Sequence, residues 1–165
     1  VLLTMMVPFQ VMMIPLFLES NLLGLLDTYG GLILQKATSA FGIFMMRSYF
    51  AALPKDLEEA ARVDGMSEFG IFAKIMFPIA RPGIMTAAIL AFMNYWNEYY
   101  WASMVLTTKE LKTVPAILSQ FTTAFSTNYN GLFSAIVVIL LPAVVVYCCC
   151  SKFFVEALAG GAVKG

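Results

Sequence analysis

Histidine is absent from the 165-residue sequence, and charged residues make up only 12% of it. The first absence removes histidine-based acid-base catalysis and the commonest zinc-hydrolase ligand sets. The second removes most water-soluble architectures, because an ordinary globular domain carries roughly twice that share of charge. Ten basic and ten acidic side chains cancel to a formal charge of zero, so nucleic acid is not an expected partner. Cysteine is scarce too: the three present are consecutive, Cys148 to Cys150, inside an apolar stretch. Adjacent helical residues point in different directions and lack metal-ligand spacing, so the run is neither a disulfide framework nor a metal site. It reads as small apolar filler near a membrane end, with palmitoylation as the functional alternative. The chain opens Val-Leu-Leu, without Met, and no basic segment precedes its first apolar run, so it reads as a fragment of a longer protein.

Hydrophobic residues supply 61% of the chain. Charge is missing altogether from residues 1–18 and 131–151, and residues 82–106 carry only Glu98. About 20 apolar residues cross the ~30 Å hydrocarbon core, so each stretch with its flanks is long enough to span. A fourth candidate runs from Tyr29 to Phe50. The expected organisation is an all-α membrane domain with spans at about 1–20, 29–50, 82–106 and 131–152. Residues 51–81 form a charged cytoplasmic loop and 107–130 an external segment. That loop holds Lys55, Asp56, Glu58, Glu59, Arg62, Asp64, Glu68, Lys74 and Arg81, nine of the twenty charges. Placing it inside puts Arg47, Lys55, Arg62, Lys74, Arg81, Lys152 and Lys164 on the cytoplasmic side, against Lys36, Lys109 and Lys112 outside. The positive-inside rule favours this choice, with both ends of the chain cytoplasmic. Pro8, Pro15 and Pro142 lie within apolar stretches and are expected to bend them.

The charged loop reads as two short helices meeting at a glycine. Pro54 suits a first turn, Asp56, Glu58 and Glu59 favour a helix N-terminus, and Gly65 suits a left-handed C-cap. The first helix should run about ten residues, with Glu58 and Arg62 paired at i,i+4 and Leu57, Ala60, Ala61 and Asp64 on another face. Ser67 can cap the second, along which Phe69, Phe72, Ala73 and Met76 recur until Pro78 stops it. Such a hairpin is either a plain elbow between two spans or a rigid element that couples a soluble partner to them.

In the third span, Asn94, Asn97, Glu98 and Trp101 share one side by helical spacing and form a candidate substrate path. An intramembrane carboxylate faces a bundle interior or wet cavity by default. Amides and a carboxylate suit sugar hydroxyls, and aromatic faces suit a pyranose ring. An interfacial aromatic belt accounts for Tyr99, Tyr100 and Trp101 as well. In the external segment, Phe121, Phe125 and Tyr129 among Ser, Thr and Asn could meet a binding protein or form a capped surface loop.

The order Glu59-Ala60-Ala61, three residues, Gly65, nine residues, Ile75, one residue, Phe77-Pro78 resembles the E-A-A loop of ABC importer permeases. Ile14 to Leu18, L-G-L-L-D-T-Y-G-G-L-I-L at 23–34, S-A-F-G-I-F at 39–44, W-N-E at 96–98 and the terminal G-G-A-V-K-G are similar to the carbohydrate-uptake branch, the second maltose-type permease in particular. The sequence departs from that pattern at Phe77, at Lys36, expected to snorkel outward, and at Cys148 to Cys150. The resemblance implies a six-helix permease fold of which these are the last four spans, in a bacterial-type inner membrane. It implies a second permease subunit, two cytoplasmic ABC ATPase subunits and an extracytoplasmic solute-binding protein. The E-A-A loop would dock on an ATPase, which carries Glu59, Ala60, Ala61 and Gly65 over as a coupling site, with Glu58, Arg62, Asp64, Ile75 and Pro78 around them. The chain has no phosphate-binding G-x-x-x-x-G-K-[ST] loop, so it is not expected to be an enzyme or to bind a cofactor. ATP and Mg would act on the partner subunits. The implied function is ATP-driven import of a mono- or oligosaccharide. A polyol, amino acid or osmolyte is the alternative solute. An intramembrane enzyme built on Glu98 is a different class, and lacks a paired carboxylate or a nucleophile with its base.

Overall fold

The computed structural model describes residues 1–121 and 128–162, with side chains through Ser151. The expectations resting on Phe125, on the Lys152 and Lys164 charges and on the terminal Gly-Gly-Ala-Val-Lys-Gly lie outside those described residues and side chains. The described chain is helical throughout, without strands. In order come α1 (Leu2–Met5), α2 (Phe9–Leu22), α3 (Tyr29–Lys36), α4 (Ala40–Ala51), α5 (Asp56–Val63) and α6 (Glu68–Ile71). A π-helical segment (Phe72–Met76) leads into α7 (Phe77–Ile79), α8 (Arg81–Trp96), α9 (Tyr100–Val105), α10 (Val114–Ile117) and α11 (Tyr129–Ala162).

Three of the four apolar stretches are interrupted helices. Pro8 is the N-cap residue of α2 and separates it from α1. The second stretch breaks at residues 37–39, where Ser39 accepts the Gly42 N–H at 3.1 Å and starts α4 afresh. The third breaks at residues 97–99, between α8 and α9. Among the described residues, α11 alone is, over Tyr129–Ser151, a continuous helix long and apolar enough to cross a membrane. The segments Glu68–Ile79 and Arg81–Trp96 qualify together but bend by 73° at Ala80. Pro15 and Pro142 lie inside continuous helices.

Close contacts between helices explain several small residues. A Cβ on Gly83 would come within 2.6 Å of the Tyr49 ring, so α4 crosses α8 at that glycine. Helix α11 packs chiefly along α8, where the Trp96 indole N–H donates to the Ile139 carbonyl at 3.0 Å. That carbonyl adjoins the one on Val138, which the missing N–H of Pro142 leaves without its helical donor. A separate core forms around Trp101, Val105 and Leu106, packed by Phe9, Leu16, Phe17, Leu26 and Leu32.

The turn joining α2 to α3 is fastened to the end of α9. Asp27 adopts a left-handed φ of 56°, which a short polar side chain tolerates. Its backbone N–H donates to the Val105 carbonyl, and its carboxylate accepts the Thr107 and Thr108 N–H groups at 2.8 Å and the Thr108 hydroxyl. The Thr108 hydroxyl and backbone hydrogen bonds hold the Asp27 carboxyl below its ordinary pKa of 3.8. A depressed carboxyl stabilises the fold above the unfolded-state pKa and loses that contribution as pH falls through the folded value. Asp27→Asn should therefore unfold at a lower temperature than the parent from neutral pH down to about pH 4. Below that the difference should shrink, and a gap unchanged by acid would contradict the clamp.

Candidate functional site

Two regions hold the residues that the sequence marks out: the charged hairpin and a wide, open cavity between the apolar helices. In the hairpin, Asp56, Glu58 and Glu59 occupy the first turn of α5, which spans eight residues and starts after Pro54 rather than within its first turn. Gly65 has φ +79° and supplies the left-handed corner. The Ser67 hydroxyl then accepts the Gly70 N–H at 3.2 Å to cap α6.

Four expectations for this hairpin are corrected. Arg62 does not pair with Glu58; its guanidinium donates to both oxygens of Glu68, at 2.7 and 3.1 Å. The corner at Gly65 brings Glu68 within reach, and two-point geometry outcompetes a single i,i+4 contact. The Arg62 hydrogen bond, then its charge, holds the Glu68 carboxyl below the usual range. Ala61 is not on an outward face with Leu57, Ala60 and Asp64. It is buried against Ile71 and Met76, with Leu53, Met66 and Ile75 beside them, while Ala60 and Asp64 remain exposed. Along the second arm Ile71, Ile75 and Met76 face this core, and Phe69, Phe72 and Ala73 do not. Finally, Pro78 does not stop the helix. The Phe77 N–H reaches back to the Phe72 carbonyl in the π-helical register, and α7 restarts with Pro78 in its first turn, where an N–H has no helical acceptor to satisfy. The two arms of the hairpin thus share a small apolar core, which Phe50 of α4 completes. Outside it, Val63 is 87% and Phe69 79% exposed.

The second region is a cavity of about 1100 Å³, whose walls include Phe9, Met12, Gln35, Lys36, Asn94, Tyr95, Asn97, Glu98, Tyr99 and Tyr100. Asn94, Asn97 and Glu98 all line it, but Trp101 is not among its walls. It is wholly buried, edge-on to Phe9 at 6.2 Å between ring centroids, with its indole N–H on the Gly31 carbonyl at 3.1 Å. The break at 97–99 changes the helical phase, so the spacing that joins Trp101 to Asn94 in a continuous helix no longer applies. Asn97 donates to the Met93 carbonyl at 2.7 Å and closes the end of α8. Both Glu98 oxygens face the start of α9, accepting the N–H groups of Trp101 at 2.8 Å and Ala102 at 2.9 Å. Lys36 does not snorkel outward: its ammonium lies 3.9 Å from the centre of the Phe9 ring and lines the cavity.

Glu98 is therefore a helix cap as well as a cavity wall. Glu98→Ala should weaken α9 by about 1 kcal/mol, read as roughly fivefold faster hydrogen exchange at the Trp101 and Ala102 amides. Glu98→Gln, which keeps one acceptor oxygen, should give a smaller increase. Equal exchange in all three proteins would remove the capping role.

Sequence reasoning passed over Asp27, Gly31 and Trp96. For the first two a signal exists: Asp27-Thr28 before Tyr-Gly-Gly is a helix start, and Thr28 indeed accepts the Gly31 N–H at 3.1 Å. Trp96 carries no local signal for its partner, which lies 43 residues away.

The described chain is thus a set of apolar, repeatedly broken helices around an open cavity, with one charged hairpin at its side. The chain belongs to the family of binding-protein-dependent transport system inner membrane components, whose pattern matches residues 1–159. It is 41% identical over 165 residues to the arabinooligosaccharides transport system permease protein AraQ of Bacillus subtilis, covering all of this chain and 59% of that protein. It is 36% identical over 160 residues to the lactose transport system permease protein LacG of Rhizobium radiobacter, covering 97% of this chain and 59% of that one. The chain thus spans about three-fifths of the length of these relatives. A chain in the crystal structure of a bacterial ABC transporter involved in the import of the acidic polysaccharide alginate superposes with a TM-score of 0.73 at 32% identity, covering 86% of this chain and 55% of that one.

Proposed function

We propose that the chain forms part of a permease subunit in an ATP-driven, binding-protein-dependent importer of mono- or oligosaccharides. It would lie in a bacterial-type cytoplasmic membrane beside a second permease, with two ABC ATPase subunits on the cytoplasmic face and a solute-binding protein outside. ATP and Mg would be used on the ATPase subunits.

The hairpin at 54–78 carries this reading. Its Arg62–Glu68 bridge and the Ala61, Ile71 and Met76 core tie its two arms together, and Phe50 joins that core to the end of α4. Val63, Phe69, Glu59 and Ala60 remain on the outside, where a soluble partner can take hold. Closure of that partner would pass through α7 and the 73° bend into α8, and so to the cavity wall at Asn94 and Glu98. The arabinooligosaccharide, lactose and alginate systems among its relatives support a carbohydrate cargo. Amide and phenol groups around the cavity suit sugar hydroxyls. Along α11, Phe133, Val137, Leu141 and Val144 are exposed apolar side chains, a surface for lipid or the second permease.

The test is reconstitution of the full transporter in proteoliposomes, with both permeases, the ATPases and the binding protein. ATP-dependent uptake of labelled oligosaccharides is expected. Uptake of polyols or amino acids in their place would overturn the carbohydrate assignment, and solute flux independent of ATP would overturn the importer itself.

A further inference from the structure

We propose that Lys36 is an anion-recognition point in the cavity, set to take the carboxylate of an acidic sugar unit. The proposal rests on the carbohydrate-import reading and narrows its substrate class. A charged side chain at membrane depth is costly and belongs where a cavity or a counter-charge compensates it. Lys36 ends α3 just before the break at 37–39 and lines the large cavity. It also lines an adjoining one of about 260 Å³, shared with Tyr95, Glu98 and Thr113. The Phe9 ring lies against its ammonium and holds it in place.

What the ammonium lacks is a carboxylate at hydrogen-bonding range. Among the described residues the ion pair within 4.0 Å is Arg62–Glu68, which is exposed on the hairpin and lines no part of the cavity. Glu98 lines the same cavity, but its two oxygens are engaged by the Trp101 and Ala102 N–H groups. The remaining polar walls near Lys36 are neutral amides and phenols, Asn94, Asn97 and Tyr95 among them. The arrangement is a positioned cation with open donors, among groups that suit hydroxyls. A sugar bearing a carboxylate satisfies both.

The experiment uses the full transporter in zwitterionic-lipid proteoliposomes with saturating binding protein. It compares uptake of a uronate-containing oligosaccharide with that of a neutral one of equal length. The parent should take up the acidic sugar. In Lys36→Gln the acidic-to-neutral uptake ratio should fall roughly ten- to hundredfold, the loss of a charge-assisted hydrogen bond. Lys36→Arg should keep the ratio within a few-fold. Neutral-sugar uptake gauges assembly, and should Lys36→Gln not assemble, Lys36→Met, which keeps the stem against Phe9, carries the same test. An unchanged ratio in the neutral variants would overturn the role of Lys36, as would a ratio that follows anionic-lipid content instead of residue 36. A parent that imports neutral sugars alone would overturn this proposal and leave the importer reading standing. A parent that imports neither sugar would overturn both.

Discussion

Trp101→Ala should destabilise the protein by about 3 to 5 kcal/mol, the range for emptying a fully buried aromatic site. Nothing of this side chain reaches the surface, and its neighbours Phe9, Leu16, Phe17, Leu26 and Leu32 come from two other helices and the turn between them. Those walls cannot all move in to fill the space. The Gly31 carbonyl also loses its indole donor. A Cβ at Gly31 would already meet the Leu25 carbonyl oxygen at 2.2 Å, so α3 has no slack there. Trp101→Phe separates the two contributions, since it keeps most of the packing and removes only the indole hydrogen bond, at about 0.5 to 1.5 kcal/mol. Thermal unfolding in detergent or nanodiscs should rank parent, Phe and Ala in that order. A Trp101→Ala protein as stable as the parent would mean that the ring faces lipid rather than the core.

Gly65→Pro should abolish at least nine-tenths of ATP-dependent uptake while leaving the protein in the membrane, if the hairpin couples an ATPase to the spans. Glycine holds φ +79° at this corner, whereas proline is locked near −65°. Proline also removes the Gly65 N–H that donates to the Arg62 carbonyl at 3.1 Å, and it disfavours the helical conformation of Asp64 before it. The corner must open, and with it the Arg62–Glu68 bridge. Gly65→Ala is the control. No atom lies within 4 Å of its added Cβ, so only backbone strain of about 1 to 2 kcal/mol is introduced. ATPase activity freed from transport in Gly65→Pro, with coupling retained in Gly65→Ala, is the expected pair of results. Normal stimulated ATPase and uptake in Gly65→Pro would remove the hairpin from the coupling path.

The hairpin was legible because its signals are local. A left-handed corner at Gly65, a cap at Ser67 and acids opening α5 depend on residues within a turn of one another. The same local rules misassigned Arg62, because i,i+4 pairing presumes one continuous helix and cannot see Glu68 arriving around a corner. They misread Ala61 for a related reason: a face can be drawn on a helical wheel, but which face turns inward depends on the second arm. In the spans, hydropathy located the apolar stretches and passed over the interruptions at 37–39 and 97–99. Composition in a window of 20 residues is blind to backbone continuity. Glu98 stood out correctly as an oddity in an apolar run, but its capping geometry follows from a break that only the structure reveals. Trp101 was drawn into the substrate path by a helical phase that this break resets.

Those two interruptions also constrain how the protein sits in its solvent. Each frees backbone amides and carbonyls that hydrocarbon cannot hydrogen-bond, so irregular backbone at membrane depth must turn toward protein or water. The sides of α3–α4 and α8–α9 that carry the interruptions therefore cannot be the sides presented to acyl chains. Helix α11 is continuous over Tyr129–Ser151, and its ladder has a gap at the Val138 carbonyl, opposite Pro142. In a bilayer, then, the course of the main chain, and not side-chain hydropathy alone, selects which flank can meet lipid.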